Sequence, residues 1–261
     1  MSLNLSETPS PTFIFMDEVD STNEEAKRRA SSGEKTACWI VADRQTAGRG
    51  RRGRAWDSPS GNLMTSLLLP GPFKADRAAQ LSFVSGLALL ELVKQVLPDD
   101  VHSKLRLKWP NDVLIDGQKV SGILLEAASI ENGEISELVI GMGVNLTQHP
   151  SDTPYPATHI GAWTLNPPTN VFAAKVLADV FTRLYDDWRL NGFEPTRANW
   201  LRHAKGLYEN IEVRLETHTL KGIFEGIDSD GQLSLRLEDG SLHYVAAGDV
   251  FFPHMDGASG S

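Results

Sequence analysis

The fold is decided by residues 105–145, which read LRLKWPNDVLIDGQKVSGILLEAASIENGEISELVIGMGVN. Short apolar runs alternate here with Asp116-Gly117 and Asn132-Gly133, two dipeptides that favour tight hairpin turns. The pattern predicts four strands, at Leu105–Lys108, Val113–Ile115, Val120–Ala127 and Glu134–Asn145.

Helices are predicted on both sides of this β-rich centre. Apolar residues recur at helical spacing from Asp76 to Val96, and Pro98 ends the pattern. A second long helix fits Val171–Leu190, with Thr169 and Asn170 as caps. Nearer the N-terminus the pattern predicts strands at Thr12–Met16, Ala37–Ala42 and Asn62–Leu69. It also predicts a helix that starts in Ser21-Thr22-Asn23-Glu24-Glu25, at capping-box spacing, and ends at Gly33.

The sequence pattern changes after Gly206, from long helices to short strands. Four short strands are predicted there, at Ile211–Leu215, Leu220–Ile227, Gln232–Leu237 and Leu242–Val245. Because so few residues cannot bury a generous core, we expect a small barrel that rests on the main domain. The predicted division is a catalytic domain over 1–207, a small domain over 208–253 and a flexible tail over 254–261.

The composition excludes several classes of protein. The 261 residues include 25 Lys and Arg against 34 Asp and Glu, and the net charge of −9 disfavours general binding to nucleic acid or an anionic membrane. The single cysteine, Cys38, cannot form an intramolecular disulfide, and no Cys/His spacing is typical of zinc ligation. The chain shows no signal-peptide pattern and no apolar run of membrane-spanning length, so we expect a cytoplasmic enzyme.

One segment contradicts the acidic composition. Gly48-Arg49-Gly50-Arg51-Arg52-Gly53-Arg54 places four arginines within six positions and is closed by Trp56. Glycines let a backbone adopt positive φ and approach a ligand closely, and guanidinium groups bind phosphate or carboxylate. Without a ligand the loop should repel itself and move, so we predict a lid that an anion orders. An RNA-binding or merely solvated basic loop is the alternative, although an acidic globular chain favours a small anionic ligand.

Four further segments are ambiguous when each is taken alone. An Asx-type turn would explain Lys108-Trp109-Pro110-Asn111-Asp112. Two interpretations fit Lys119-Val120-Ser121-Gly122: a charged residue at a strand edge, or a strand that contacts a ligand. Gly141-Met142-Gly143-Val144-Asn145 fits a bulge and turn. Ser21-Thr22-Asn23 fits a helix cap, although such groups at a helix start also hold polar ligands.

In their order and spacing, these segments together resemble the biotin–protein ligases (biotin–[acetyl-CoA-carboxylase] ligases). The resemblance covers nearly the whole chain, but the N-terminal helix-turn-helix domain of the repressor-type members is missing, as in the short class that does not bind DNA. It implies an α+β fold with a mixed-sheet catalytic domain and packed helices, of the class II biotin ligase and lipoate ligase type, plus a small SH3-like C-terminal β-barrel. The matching segments are Asp20–Asn23, Gln45 with Gly48–Arg54, Lys108–Asp112, Lys119–Glu126 and Gly141–Asn145.

The resemblance also implies a reaction and residue roles. The family joins biotin to ATP, releases pyrophosphate and passes biotin to one lysine of a carrier domain. The implied catalytic residues are Arg51, Lys119 and Asp112. Arg51 and Lys119 are suited to neutralise the biotin carboxylate and the ATP phosphate, two anions that must come together. Asp112 is a candidate base for the acceptor lysine. Biotin would be held by Ser21, Thr22, Asn23, Gln45, Arg49, Gly50, Arg51, Lys119 and Gly122. ATP would be held by Arg52, Arg54, Trp56, Asn111, Asp112, Asn145 and Trp163.

Cofactors and partners follow from the same resemblance. It implies ATP with Mg²⁺, biotin as substrate, and a biotin carboxyl carrier domain of acetyl-CoA carboxylase or a related carboxylase as the partner. It implies no nucleic acid and no membrane. The metal ligands are not identified, and a homodimer remains an open alternative.

Two other readings stay open. A lipoate–protein ligase or octanoyltransferase would share the architecture, but the transferase needs a nucleophilic cysteine, whereas Cys38 beside Trp39 favours a buried structural thiol. The glycine-rich motif of lipoate ligases also differs from the one here. A nucleic-acid-binding protein that uses residues 49–54 and the small barrel is the alternative from another class.

Overall fold

A seven-stranded sheet and a five-stranded sheet organise the chain, in a computed structural model that describes residues 12–153 and 155–252. The strands of the first sheet are β1 (Thr12–Val19), β2 (Cys38–Gln45), β3 (Leu63–Phe73), β4 (Leu105–Lys108), β5 (Asp112–Ile115), β6 (Gln118–Glu131) and β7 (Glu134–Val144). The helices are α1 (Thr22–Ser31), α2 (Ala75–Val96), α3 (Asp99–His102), α4 (Asn170–Asn191) and α5 (Phe193–Arg202). The second sheet contains β8 (Asn210–Arg214), β9 (Thr219–Ile227), β10 (Leu233–Arg236), β11 (Leu242–Val245) and β12 (Asp249–Phe251).

The first sheet is mixed. Its strand order is β1-β2-β3-β7-β6-β5-β4, in which β1 and β2 are parallel and all other neighbours are antiparallel. The second sheet, in the order β11-β10-β9-β8-β12, is antiparallel throughout. The predicted α+β class with a mixed sheet, packed helices and a small β unit at the C-terminal end is confirmed.

Alternation along β2 explains why helices cover both faces of the first sheet. Trp39 and Val41 belong to the main core beneath α2 and α4, whereas Cys38 and Ile40 belong to a smaller cluster beneath α1. Successive side chains of a strand point to opposite faces, so an apolar run of this kind needs cover on both sides.

The long helix α2 forms the centre of the main core. Among residues 12–153 and 155–252 it is the one helix whose length and composition would allow a membrane crossing. However, 67% of its most apolar stretch of 18 residues is buried within the fold. The helix lies against β4, β5, β6 and β7 on one side and α4 and α5 on another. Its apolar character is therefore accounted for by packing inside this fold.

The second sheet is attached to the first unit by a continuous core and by hydrogen bonds. Residues of both sheets share one buried apolar cluster. Trp109 Nε1 donates to the carbonyl of Gly231 at 3.2 Å, and Gln80 Nε2 donates to the carbonyl of Ser229 at 3.0 Å. This attachment places the start of β12 beside the arginine-rich loop.

Four features differ from the sequence-based expectation. The helices α3 and α5 and the strand β12 were not predicted. Ser21 stands at the N-cap of α1, but its side chain accepts from no backbone N–H of the helix, so the predicted capping box is wrong. The predicted cap of α4 is present, because Thr169 accepts from Phe172 N at 3.2 Å. The predicted tail over 254–261 lies outside the described residues.

Trp200 of α5 tests the packing of this unpredicted helix. It is 2% exposed, packs edge-on against Phe83 of α2, and its indole lies against Gly86. We expect Trp200→Ala to lower the free energy of unfolding by about 3–5 kcal/mol, because it removes a large buried side chain and leaves a cavity. Urea denaturation measures the loss, and Leu190→Ala, at a 68% exposed position of α4, should cost less than about 0.5 kcal/mol. Equal losses in the two variants would contradict the packing described here.

Candidate active site

One cavity brings together most of the residues singled out in the sequence. It lies between the arginine-rich loop, the start of α1, the strands β6 and β7 and the start of β12. Of the predicted site residues it is lined by Ser21, Thr22, Asn23, Gln45, Arg49, Gly50, Arg51, Arg54, Trp56, Asn111, Asp112, Lys119, Gly122 and Asn145.

Neutral polar groups line the end of the cavity at α1. Gln45 Oε1 accepts from the backbone N of Thr22 at 2.8 Å and from its hydroxyl at 3.1 Å, while Gln45 Nε2 donates to Ser58 Oγ at 2.8 Å. Ser21, Thr22 and Asn23 are all buried. Buried polar groups that are held in this way are suited to a ligand with its own hydrogen-bonding groups.

Ser66 of β3 lies behind this polar end, fully buried, and supports it; it was missed in the sequence, where it stands inside an apolar strand. Its hydroxyl lies 2.7 Å from Thr22 Oγ1 and 2.5 Å from Asn23 Oδ1. Asn23 packs directly onto Gly141 of β7, where a Cβ would come within 2.2 Å of Asn23 Oδ1. The glycine is therefore needed for the close approach of α1 to the sheet.

The arginine-rich loop is held by carboxylates, which corrects the expectation that it repels itself. Arg49 pairs with Glu24 at 2.7 Å and with Glu126 at 2.6 Å. Arg54 and Arg52 pair with Asp249 of β12, at 2.9 Å and 3.4 Å. Attraction to three carboxylates from distant parts of the chain offsets the repulsion among the guanidinium groups.

The conformation of the loop also differs in detail from the expectation. Positive φ occurs at Arg52 (55°) and Gly53 (71°), but not at Gly48 or Gly50. Gly48 is required for a different reason, because a Cβ there would lie 2.5 Å from both the carbonyl of Trp56 and the hydroxyl of Ser58. The glycines thus serve close packing at one end of the loop and a left-handed turn at the other.

Arg51 is the exception among the four arginines. No carboxylate lies within 4 Å of it among the residues that the structure describes, and its nearest polar partner is Asn111 Oδ1 at 3.4 Å. Burial lowers the pKa of Arg51 from its usual value, against the opposing effect of the Asp249 and Asp112 charges. A half-buried guanidinium without a close counter-charge is suited to an anionic ligand.

Lys119 and Asp112 form the ion pair at the middle of the cavity. Lys119 Nζ lies 2.6 Å from Asp112 Oδ1. The approach lacks hydrogen-bond geometry, so this buried oxygen has an ion-pair partner but accepts no hydrogen bond within the described residues. Asp112 therefore retains capacity for a further donor or a cation.

Trp56 covers the strands next to this pair. Its indole lies on Gly143 and Gly122, where added Cβ atoms would come within 2.5 Å and 3.1 Å of the ring, and Lys119 Nζ lies 5.4 Å from the ring centroid. Asn111 and Asn145 are used structurally: their side-chain amides donate to the carbonyls of Ile123 at 2.7 Å and Thr158 at 3.0 Å.

Two predicted site residues do not line the cavity. Arg52 points to Asp249. Trp163 donates through Nε1 to Thr158 Oγ1 at 2.9 Å, and Lys104 lies 5.0 Å from its ring. Their roles stay predictions that need movement or a ligand to bring them to the site.

The cavity also contains charged and polar residues that the sequence did not single out for it, among them Lys108, Tyr155 and Asp249. Lys108 is 8% exposed, with its Nζ 4.0 Å from the ring centroid of Tyr155. No carboxylate lies within 4 Å of it in the part of the chain that the structure describes. Asp249 belongs to a strand of three residues, too short for a recognisable pattern. The signal for Lys108 was its place directly after a strand, at the start of the Lys108–Asp112 motif.

Cys38, by contrast, lies away from the cavity. It is a free, buried thiol in the cluster beneath α1. Burial raises the pKa of the Cys38 thiol, which disfavours the reactive thiolate. The expectation of a buried structural thiol is confirmed.

Comparison with known proteins agrees with this fold and site. Residues 15–145 match the Biotin/lipoate A/B protein ligase family, and residues 209–252 match the Biotin protein ligase C terminal domain. The chain is 40% identical over 245 residues to a biotin–[acetyl-CoA-carboxylase] ligase of Paracoccus denitrificans, across 90% of this chain and 98% of the relative.

Solved structures show the same likeness. A biotin protein ligase from Aquifex aeolicus in complex with biotin and ATP superposes with a TM-score of 0.77 at 27% identity, covering 92% of this chain and 97% of that one. A biotin protein ligase from Leishmania major in complex with biotinyl-5-AMP gives a TM-score of 0.65 at 26% identity, covering 91% and 99%.

The fold and the cavity thus define a protein of the biotin/lipoate A/B ligase class. Within that class, the chain belongs to the biotin protein ligase family, and it is an enzyme. The resemblance inferred from the sequence motifs is confirmed, as is the SH3-like character of the small β unit.

Lys108 yields a prediction that depends only on its burial. Burial lowers its pKa to about 8, with the Asp112 charge opposing and the Lys119 charge reinforcing the shift, whereas an unfolded lysine keeps its proton up to about 10.5. Between these values the unfolded chain binds more protons, so the free energy of unfolding should rise with pH. We expect the difference between wild type and Lys108→Met to change by about 3 kcal/mol in favour of wild type from pH 8 to pH 10.5.

Urea denaturation at several pH values measures this difference. Lys175→Met, at an exposed position of α4, is the control for loss of a solvated charge. A constant difference between wild type and Lys108→Met over the whole range would show that Lys108 is solvated in the folded protein.

Proposed function

We propose that this protein activates biotin with ATP to biotinyl-5′-AMP, with release of pyrophosphate, and then transfers biotin to a specific lysine of a biotin carboxyl carrier domain. The proposal rests on one observation, which is that neutral polar groups and cations line different parts of one cavity. Neutral hydrogen-bonding groups line its α1 end, and the cations Arg51 and Lys108, without close carboxylate partners among the described residues, face its other part. A ligand that is neutral and polar at one end and anionic at the other matches this arrangement.

The α1 end is the proposed site for the ring system of biotin. Ser21, Thr22, Asn23 and Gln45 supply hydroxyl and amide groups in a buried setting, and a buried polar pocket discriminates strongly against ligands that lack matching groups. Arg49 and Gly50 of the loop and Gly122 of β6 would enclose the rest of the molecule.

The cationic part is the proposed site for the biotin carboxylate and the phosphates of ATP. Arg51 and Lys119 would neutralise the two anions that must come together. Arg54, Asn111, Asp112 and Asn145 are proposed nucleotide contacts from the cavity wall, with Trp56 as an aromatic surface. Arg52 and Trp163 are proposed contacts that first have to leave the partners described above.

The chemistry needs positioning and charge neutralisation rather than a covalent enzyme intermediate. A carboxylate oxygen of biotin attacks the α-phosphorus of ATP, and the bond from that phosphorus to the bridging oxygen breaks as pyrophosphate leaves. The acceptor lysine, as a neutral amine, then attacks the acyl carbon, and the acyl–oxygen bond breaks as AMP leaves. Asp112 is the proposed acceptor of the lysine proton, since its buried Oδ1 accepts no other hydrogen bond.

Mg²⁺ would accompany ATP in this proposal. Among residues 12–153 and 155–252 no group of three His, Cys, Asp or Glu side chains forms a metal cage. The carboxylate of Asp112, a hard oxygen ligand in the wall of the cavity, is the group that would hold the ion during adenylation. Bound there, Mg²⁺ would supply electrostatic stabilisation of the phosphate charge.

The finer assignments are part of the same proposal. The carrier is proposed to belong to acetyl-CoA carboxylase or a related carboxylase, with the reaction in the cytoplasm, where ATP is available. Residues 1–207 are the proposed catalytic domain and 208–253 the small domain. Homodimer formation is compatible with the proposal and is not required by it.

The first test supplies a candidate carrier domain together with the enzyme, biotin, ATP and Mg²⁺. Mass spectrometry should show a single biotinyl addition to the carrier, absent when ATP is omitted, and ATP–pyrophosphate exchange should depend on biotin. Lipoate replaces biotin in the parallel reaction. Activity with lipoate but not with biotin would favour the lipoate ligase alternative and overturn the proposal.

The second test concerns Lys119. We expect Lys119→Ala to weaken biotin binding at least tenfold, or about 1.4 kcal/mol, and to slow adenylation more strongly, because the cation beside the reacting carboxylate is lost. Calorimetry measures the binding. Lys221→Ala, which removes an exposed lysine paired with Glu212 at 2.7 Å, is the matched control and should bind biotin normally. Unchanged biotin affinity in Lys119→Ala would refute the place given to Lys119.

A further inference from the structure

Four charged side chains form a closed ring at the edge of the cavity. Arg49 of the loop lies 2.7 Å from Glu24 and 2.6 Å from Glu126, and Lys27 lies 3.1 Å from Glu24 and 2.8 Å from Glu126. The signs alternate around the ring. Its members come from three segments, namely the loop, α1 and β6, so the ring ties the loop to both walls of the proposed biotin site.

Glu126 is the member with a second task. Its Oε2 accepts from Asn23 Nδ2 at 2.8 Å, while Oε1 contacts Arg49 and Lys27. The side chain is only 18% exposed. Partial burial alone would raise the pKa of Glu126, but hydrogen bonds from Lys27 and Asn23 and the charges of Lys27 and Arg49 outweigh it, so its pKa lies below the usual value and the carboxylate stays ionised.

The contact with Asn23 fixes the orientation of an amide in the polar end of the cavity. With Nδ2 donating to Glu126, Asn23 Oδ1 lies against the Ser66 hydroxyl at 2.5 Å, and Gly141 leaves no free space behind it. One carboxylate therefore contacts a residue of the lid on one oxygen and orients a residue of the pocket with the other.

We propose that Glu126 is a positioning residue that couples closure of the arginine-rich loop to the geometry of the biotin pocket, and so retains the acyl adenylate until the carrier lysine arrives. The inference rests on the proposed function. A mixed anhydride is hydrolysed when water reaches it, so a loop that opens early wastes ATP. When Arg49 leaves, Glu126 loses one of its two cations, and the hold on Asn23 changes at the same moment.

The strength of the coupling comes from the closed arrangement. A single exposed ion pair contributes little, because solvent screens it and two long side chains must be ordered. In the ring each charge has two opposite neighbours, and α1 and β6 hold Glu24, Lys27 and Glu126 in place before the loop arrives. Only Arg49 has to be ordered on closure.

The central test is Glu126→Gln, which keeps the shape but leaves one acceptor oxygen in place of two, so that Asn23 competes with Arg49 and Lys27 for it. We expect a five- to tenfold rise in KM for biotin and a change of less than threefold in kcat for ATP–pyrophosphate exchange. AMP should form in several-fold excess over biotinylated carrier, because adenylate escapes and is hydrolysed. Raising the salt concentration should move wild type in the same direction, since ionic screening weakens the ring.

Glu24→Gln is the matched variant that separates the two tasks. It removes two of the four ion pairs, as Glu126→Gln does, but the side-chain amide of Asn23 donates to Glu126 and not to Glu24. We expect excess AMP in this variant with a KM for biotin within twofold of wild type. Glu18→Gln, which removes a surface pair with Arg44 at 3.0 Å, should match wild type in both measurements.

Trypsin supplies a readout that does not require activity. Arg51, Arg52 and Arg54 are cleavage sites in the loop, and both Glu126→Gln and Glu24→Gln should be cut there several-fold faster than wild type and Glu18→Gln at equal thermal stability. Wild-type cleavage rates together with one AMP per biotinylated carrier in Glu126→Gln would overturn the coupling. If the wild-type protein is inactive with biotin but trypsin still cuts the ring variants faster, the proposed function is overturned and the coupling between the ring and the loop is not.

Discussion

Charge neutralisation of the arginine-rich loop is the constraint on which the rest of the structure depends. Four guanidinium groups within six positions repel one another, and carboxylates close to three of them offset this repulsion. The chain supplies Glu24 from α1, Glu126 from β6 and Asp249 from β12. Because these carboxylates belong to three parts of the fold, they hold the loop to the helix, the first sheet and the second sheet together.

The first sheet contributes to the site through glycines, whose missing side chains leave room for other residues. Gly141 makes room for Asn23, and Gly122 and Gly143 make room for the Trp56 indole, so both the polar end and the aromatic cover lie directly on the backbone of β6 and β7. Side chains at these positions would push α1 and the loop away from the sheet, because an added Cβ at Gly141 or Gly143 would lie within 2.5 Å of Asn23 or Trp56. The apolar residues between the glycines, such as Ile123 and Met142, face the core, so the same strands stabilise the fold and shape the cavity.

Much of this arrangement could be predicted from local sequence, and the remainder depends on contacts between distant residues. Hairpin dipeptides and helical spacing located most strands and the two long helices, because turn geometry and amphipathicity are local properties. The partner of Arg54 could not be predicted, since Asp249 is 195 positions away on a strand of three residues. Ser66 was hidden for a similar reason: a hydroxyl in a buried apolar strand is recognised as functional only when Thr22 and Asn23 are seen beside it.

The same pairing explains how an acidic chain can contain a strongly cationic cavity. Arg49 pairs with two carboxylates and Arg52 and Arg54 share Asp249, so the exposed face of the loop presents little uncompensated charge to a long polyanion. Arg51 and Lys108, which have no such partner among the described residues, are buried to a greater extent and face inward. Nucleic-acid binding needs a row of exposed cations along a backbone, whereas two cations that face into one cavity fit a small anionic ligand that enters it. The net charge of −9 is a sum over the whole chain, and the local charge around Arg51 and Lys108 has the opposite sign to that sum.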